Sequence, residues 1–321
     1  MSTVSFFMQQ TFLVMIPLLL VALGGMFSER SGVVNIALEG KMLLGAFTGI
    51  FFMNRIQDSA IALEGHPLFL VALLIAAATG MLVALLHAFA AINLSANQII
   101  SGVAINLFAP AFAIYTARVI SGQTQQVFFI NQFRISSVPL FGDIPIIGPL
   151  FFQGTYITTY LGFLILFISA FVLYKTKFGL RLRACGEHPQ AADSVGINVY
   201  KIRYAGVLIS GALAGMGGLI LVIGTSVAFN ADVSGYGFLA LAVLIFGAWK
   251  PMRILFAAFF FGLLQALAAG HSGIAFLREL EIPIHFYRMV PYIATLVVLA
   301  FTSRRSQAPR AAGTPYDKGK R

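Results

Sequence analysis

The sequence predicts an all-α polytopic membrane protein with about 8–10 transmembrane helices. Three observations lead there. Hydrophobic residues make up 59% of the 321 and charged residues only 10%, too little charge to coat a soluble body of this size. The apolar residues fall in continuous runs of roughly 20, the thickness of a bilayer's hydrocarbon core, and not in the alternation of an outer-membrane barrel. The charges gather between the runs, above all in one loop and in the C-terminal tail.

Taken in order, the candidate spans are 4–27, 33–53, 67–92, 97–120, 154–175, 204–224, 236–248, 252–270 and 286–301. The first lacks a basic leader and a small-residue cleavage site, so it reads as a retained span. The 236–248 run is too short to cross alone and must be a half-helix, a broken helix or a span continued by its neighbours. Residues 1–302 form one transmembrane domain. The tail 303–321 is polar, basic and interrupted by two prolines, which predicts disorder.

Lysine and arginine set the orientation. With the 175–203 loop in the cytoplasm, Arg30, the six basic residues of that loop, Lys250, Arg253 and the six of the tail share its side. Arg55, Arg118, Arg134, Arg278 and Arg288 fall opposite, and Lys41 lies within a span. The C-terminus is therefore expected inside and the N-terminus outside. The net charge of +10 resides in loops and tail and does not point to nucleic acid.

The most polar stretch, GLRLRACGEHPQAADSVGINVYKIR (179–203), stands out in so apolar a chain. Within it Ala191, Ala192 and Gly196 read as one short helical turn ending in glycine, a knob for a cytoplasmic partner to grip. Ser31-Gly32 with Ile36-Ala37-Leu38 and Gly45-Ala46 is weakly echoed by Ser234-Gly235 with Leu239-Ala240-Leu241 and Gly247-Ala248. The copies start on opposite sides, as in the inverted repeats that frame a midplane substrate path.

Asn35 and Glu39 share one helix face, and Asn106 lies mid-span. These three are the candidate path residues, chosen by polarity and position. Two readings of Glu39 and Lys41 are open: a broken helix lining the route, or a cytoplasmic helix start whose charges stay wet. Asn106 fits structural bonding between helices at least as well. Gly211, Gly215 and Gly218 form a small-residue face for close helix packing. The five histidines lack metal-ligand spacing, no nucleophile and base pair up, and Asn35 stands where a phosphate-binding loop ending at Gly40-Lys41 needs its first glycine. No catalytic or metal site is expected, and ATP hydrolysis by this chain is not expected.

The run Glu29-Arg30-Ser31-Gly32-Val33-Val34-Asn35-Ile36-Ala37-Leu38-Glu39-Gly40 resembles the signature of nucleoside and simple-sugar permeases of ABC importers, which are related to ribose and branched-chain amino-acid permeases. Ala96 to Asn106, Gly179 to Ile197, Ser210 to Gly218, Ser234 to Gly247 and Pro283 to Tyr292 continue the likeness over about residues 10–300. The first block is more similar to the nucleoside branch. The resemblance implies a permease in the cell inner membrane, paired with a second permease subunit, identical or paralogous. It also implies two ABC ATP-binding subunits and an extracytoplasmic solute-binding protein or lipoprotein, with ATP used by the partners and no cofactor on this chain. The family's coupling helix maps onto Glu187, Pro189, Ala191, Ala192, Gly196 and Ile197 in the loop of about 176–203. Lys41 departs from the pattern, where methionine or another apolar residue is expected. Simple sugars or branched-chain amino acids remain alternative solutes. An ion-coupled secondary transporter is the rival of another class, disfavoured by the large basic loop and the scarcity of intramembrane carboxylates. An intramembrane enzyme would need a polar catalytic constellation that the chain does not offer.

Overall fold

The computed structural model describes residues 3–319 except 58, 60–62, 122–125, 131–132, 146, 271–282, 284–285, 288, 292, 295 and 298–306. Of the candidate span 286–301, residues 288, 292, 295 and 298–301 lie outside the described residues, as do 284–285, 288 and 292 of the block Pro283 to Tyr292; the described residues from 286 to 297 are helical. The described residues are mostly helical, as the apolar runs require where backbone groups have no water to bond. In order come α1 (Thr3–Arg30), α2 (Leu38–Gln57), α3 (Gly65–Ala88), α4 (Gln98–Ser121), α5 (Ile157–Lys175), α6 (Lys177–Glu187), α7 (Pro189–Ser194), α8 (Val199–Thr225), α9 (Tyr236–Phe246) and α10 (Pro251–Ala269). Among the described helices α1, α3, α4, α5, α8 and α10 are long and apolar enough to cross a membrane. The other long helix, α2, carries Glu39, Lys41 and Arg55.

Two helices make the centre. α1 is buried along nearly its whole length, and α8 packs against α1, α2 and α3. A Cβ on Gly211 would run into the carbonyl of Gly80, one on Gly215 into that of Ala76, and one on Gly218 into that of Met42. This face of α8 lets α2 and α3 approach to backbone contact, where packing rather than hydrophobicity holds helices together. α4, α5 and α10 lie outside this core and expose large apolar side chains, among them Leu107, Phe167 and Phe256.

The bundle has two distinct ends. At one, β1 (Val127–Phe128) pairs antiparallel with β4 (Ala228–Phe229), and β2 (Arg134–Ser137) with β3 (Gln153–Tyr156). Near the first turns of α1, Gln9 bonds the Gln153 carbonyl and accepts from Arg134. At the other end α6 and α7 form a compact knob.

Three sequence expectations need correction. Residues 33–37 are not helical, because side chains from other helices supply their backbone partners, as described below. The apolar stretch at 154–175 begins as a strand and becomes helical only at Ile157. The tail is not free over its described length: residues 307–319 lie across the knob end. There the Ala311 N–H donates to the Gly186 carbonyl, and the Gly313 N–H to that of Gly32. Tyr316 is buried against Tyr200, and Arg203 reaches over its ring. A buried aromatic ring supplies the apolar contact that composition alone did not reveal.

Candidate functional site

The segment 31–37 enters the bundle as irregular backbone, which is tolerated at membrane depth only where protein satisfies it. Gln98 accepts from the Val34 N–H at 2.7 Å, and His87 lies 3.0 Å from the Val34 carbonyl. Asn106 accepts from the Gly40 N–H at 2.8 Å and donates to the Ile36 carbonyl at 2.9 Å. Asn35 is fully buried, donating to the Ser210 hydroxyl at 2.7 Å and accepting from the Lys41 ammonium at 2.6 Å. Lys41 is buried completely, so its charge neither faces a pore nor stays wet at an edge. Asn35 and Asn106 therefore spend their amides on internal bonds.

Glu39 does something different. Its two oxygens accept the N–H groups of Gly235, at 2.8 Å, and Gly237, at 2.6 Å. These are free donors at the start of α9, whose capping residue, Gly235, has no side chain to serve them. A carboxylate from another segment thus caps α9 and meets the positive end of its dipole. The fit is close: a Cβ on Gly237 would stand 2.5 Å from the Glu39 backbone.

Just before α9 the chain takes the left-handed conformation at Ala231 (φ 55°), Ser234 (φ 53°) and Gly235 (φ 76°). Two of these are not glycine, and such local strain persists where the surroundings enforce it, often at working sites. Asp232 shapes the turn by accepting from the Ser234 N–H at 2.7 Å. The turn forms one wall of a cavity of about 530 Å³, whose other walls are the last turns of α8 and α10 and the first residue of α9. Its polar lining comprises Thr225, Ser226, Asn230, Asp232, Ser234, Tyr236 and Gln265. Asn35, Glu39 and Asn106 do not line it. Glu39 lies directly behind, holding the backbone between Ser234 and Tyr236. Sequence reasoning passed over Asn230, Asp232 and Gln265. The available signals were a polar run, Asn230 to Gly235, before a helix too short to cross, and one amide in the otherwise apolar interior of α10.

At the opposite end of α9, Trp249 is buried and its indole N–H donates to Glu29 at 2.6 Å. The neighbouring Arg30 donates to the Trp249 carbonyl at 3.2 Å and pairs with Glu187 at 3.8 Å. Glu187 ends α6, so the last turn of α1 bonds both the turn after α9 and the knob.

In the knob, Thr176 caps α6 by accepting from the Gly179 N–H at 3.1 Å. α7 ends on Gly196 at φ 82°, with the Gly196 N–H donating to Asp193 and the Ile197 N–H to Ala192. Pro189 and Ala192 are buried, Glu187 and Ile197 half-buried, and Ala191 and Gly196 exposed. Beside them Val195, an apolar residue not singled out from the sequence, is 74% exposed. Cys185 is buried beneath Ala192, Val199 and Tyr316, and that burial pushes its thiol up to about 11.

Residues 7–299 match the family described as the permease component of the branched-chain amino acid transport system. The chain belongs to this permease family. It is 46% identical to the guanosine ABC transporter permease protein NupQ of Bacillus subtilis, over 95% of this chain and 94% of the relative. It is 41% identical, with the same coverage, to the nucleoside ABC transporter permease protein NupC of Lactococcus lactis. A putative glucose ABC transporter permease protein of Haloferax volcanii is 32% identical over 92% of this chain and 91% of its own length. No solved structure matches this permease significantly. Its place in the family and its apolar helices make it a multi-pass membrane protein and a transport component.

Proposed function

We propose that this chain is the membrane-spanning subunit of an ATP-driven importer of nucleosides. The observation that carries the reading is full-length identity of 46% and 41% to permeases named for guanosine and nucleosides. A cavity of about 530 Å³ with amide, hydroxyl, carboxylate and phenol groups suits a small polar solute with an aromatic part. The strand end faces outside and the knob end, rich in lysine and arginine, faces the cytoplasm. A second permease subunit, identical or paralogous, completes the path, an extracytoplasmic solute-binding protein or lipoprotein delivers the solute, and two separate ABC subunits hydrolyse ATP.

In this reading the ATP-binding subunits seat on the exposed Ala191 and Gly196 with Val195 between them. Pro189, Ala192 and Ile197 form the packed base, and Glu187 carries the pull to Arg30. Through the Trp249 carbonyl that pull reaches α9, whose far end Glu39 fixes at the cavity wall. ATP biases a two-state bundle, and the knob transmits the bias. The test is reconstitution of the whole complex in liposomes with labelled guanosine. Accumulation should need ATP on the knob side of the membrane and survive an uncoupler. Uptake that ignores an inactive ATPase subunit but collapses with an uncoupler would establish the ion-coupled rival instead.

A further inference from the structure

The cavity between α8, α9 and α10 carries more information than a passage needs. Among the described residues nothing hydrogen-bonds the side-chain amides of Asn230 and Gln265, which come from different elements and line the same space. Each amide presents a donor and an acceptor side by side, the pattern that pairs with the edge of a nucleobase. Tyr236 adds an aromatic ring on which a base can stack. Among the described lining residues Asp232 alone is charged, and no lysine, arginine or histidine stands with it. A carboxylate accepts readily from sugar hydroxyls and repels a phosphate.

From this, and resting on the importer reading above, we infer that the cavity is a selection site for uncharged nucleosides: Asn230 and Gln265 read the base edge, and Asp232 rejects 5′-phosphates. The strained turn at 231–235 holds Asp232 in place, since its carboxylate is anchored by the N–H and hydroxyl of Ser234 at 2.7 and 3.2 Å. Asp232 keeps lone pairs for a ligand beyond these two bonds.

The experiment uses the complete transporter in nanodiscs without the solute-binding protein, so that the cavity's own choice is read. Photolabelling with 8-azidoguanosine should mark residues 225–236 or 257–270, with the mark competed by guanosine and not by guanosine 5′-monophosphate. Asn230→Ala and Gln265→Leu should each weaken that competition about ten-fold, as loss of one good hydrogen bond does. Asp232→Asn should let the monophosphate compete, at least ten-fold better than against the wild type. Labelling elsewhere in the bundle, or variants that compete as the wild type does, would overturn the assignment while leaving nucleoside import standing. A wild-type complex that imports no nucleoside at all overturns both.

Discussion

Glu39 is the residue whose loss the structure makes most costly. In Glu39→Ala two N–H groups at the start of α9 lose their acceptor, bonded now at 2.8 and 2.6 Å. Hydrogen bonds to a charged group contribute about 1.5–3 kcal/mol each, and Glu39 is half-buried, so the lower figure applies to both. The expected loss is about 3 kcal/mol, with the helix-dipole contribution inside that figure. α9 has only 11 residues, too few to hold itself helical once its start is released. Glu39→Gln keeps one neutral acceptor and should cost about half as much. The assays are thermal unfolding of the purified protein in detergent, limited proteolysis at 226–235, and guanosine uptake. The alanine variant should melt earlier, be cut in that loop and lose uptake, with glutamine intermediate in all three. A Glu39→Ala protein that melts and transports as the wild type does would refute the capping role. If Glu39→Gln kept full stability but lost coupling to an ion gradient, the carboxylate would be an ion carrier instead.

Other perturbations follow from the same geometry. Gly196→Leu forces a side chain into a left-handed position at about 1–2 kcal/mol and places bulk on an open face; membrane insertion should be normal and ATP-driven uptake lost. Trp249→Phe leaves the buried Glu29 carboxylate without its indole donor, and unfolding in detergent should move by about 2–3 kcal/mol. Cys185, with its thiol pushed up to about 11, should resist maleimide at pH 7–8 in the folded protein, and its thiolate fraction should grow about ten-fold per pH unit below that value. Removing residues 307–321 takes away Tyr316, so the same thiol should label readily, and unchanged protection would show that the tail does not cover it. Crosslinking to an ATP-binding subunit accordingly needs a cysteine placed at Ser194 or Val195, both exposed, since Cys185 is covered.

The helices were legible because bilayer thickness imposes a run length that any reader of the sequence can measure. The segment 33–37 was not, because its irregular backbone is satisfied by His87, Gln98 and Asn106, tens of residues away, and nothing local marks it. Asn35 and Asn106 stood out as polar groups in apolar surroundings, but polarity does not tell an inward-bonded amide from one that faces a cavity. Asn230 and Gln265 have the same chemistry and no hydrogen-bond partners among the described residues, and only the approach of the turn before α9 to α10 distinguishes them. The shortness of 236–248 was visible; the source of its missing cap was not, since Glu39 lies 196 residues before Gly235.

The opening signature block explains itself once α9 is placed. Its first residue, Glu29, holds Trp249 just beyond the C-terminal end of α9, and Glu39, near its end, holds Gly235 and Gly237 at the N-terminal end. Eleven helical residues span about 16 Å, and one short stretch of chain, with segment 31–37 off the helical path, reaches both ends. Had 29–39 continued as helix, its own backbone would have claimed the bonds that now go to neighbours. α9 is thus clamped by two carboxylates from one segment, with Arg30 beside the first joined to Glu187 of the knob. In the proposed cycle a displacement of the knob is passed to the end of α9 that Trp249 defines, while the Glu39 clamp keeps the other end at the cavity wall. The helix can then tilt as a unit without melting, which is the motion an alternating cavity requires.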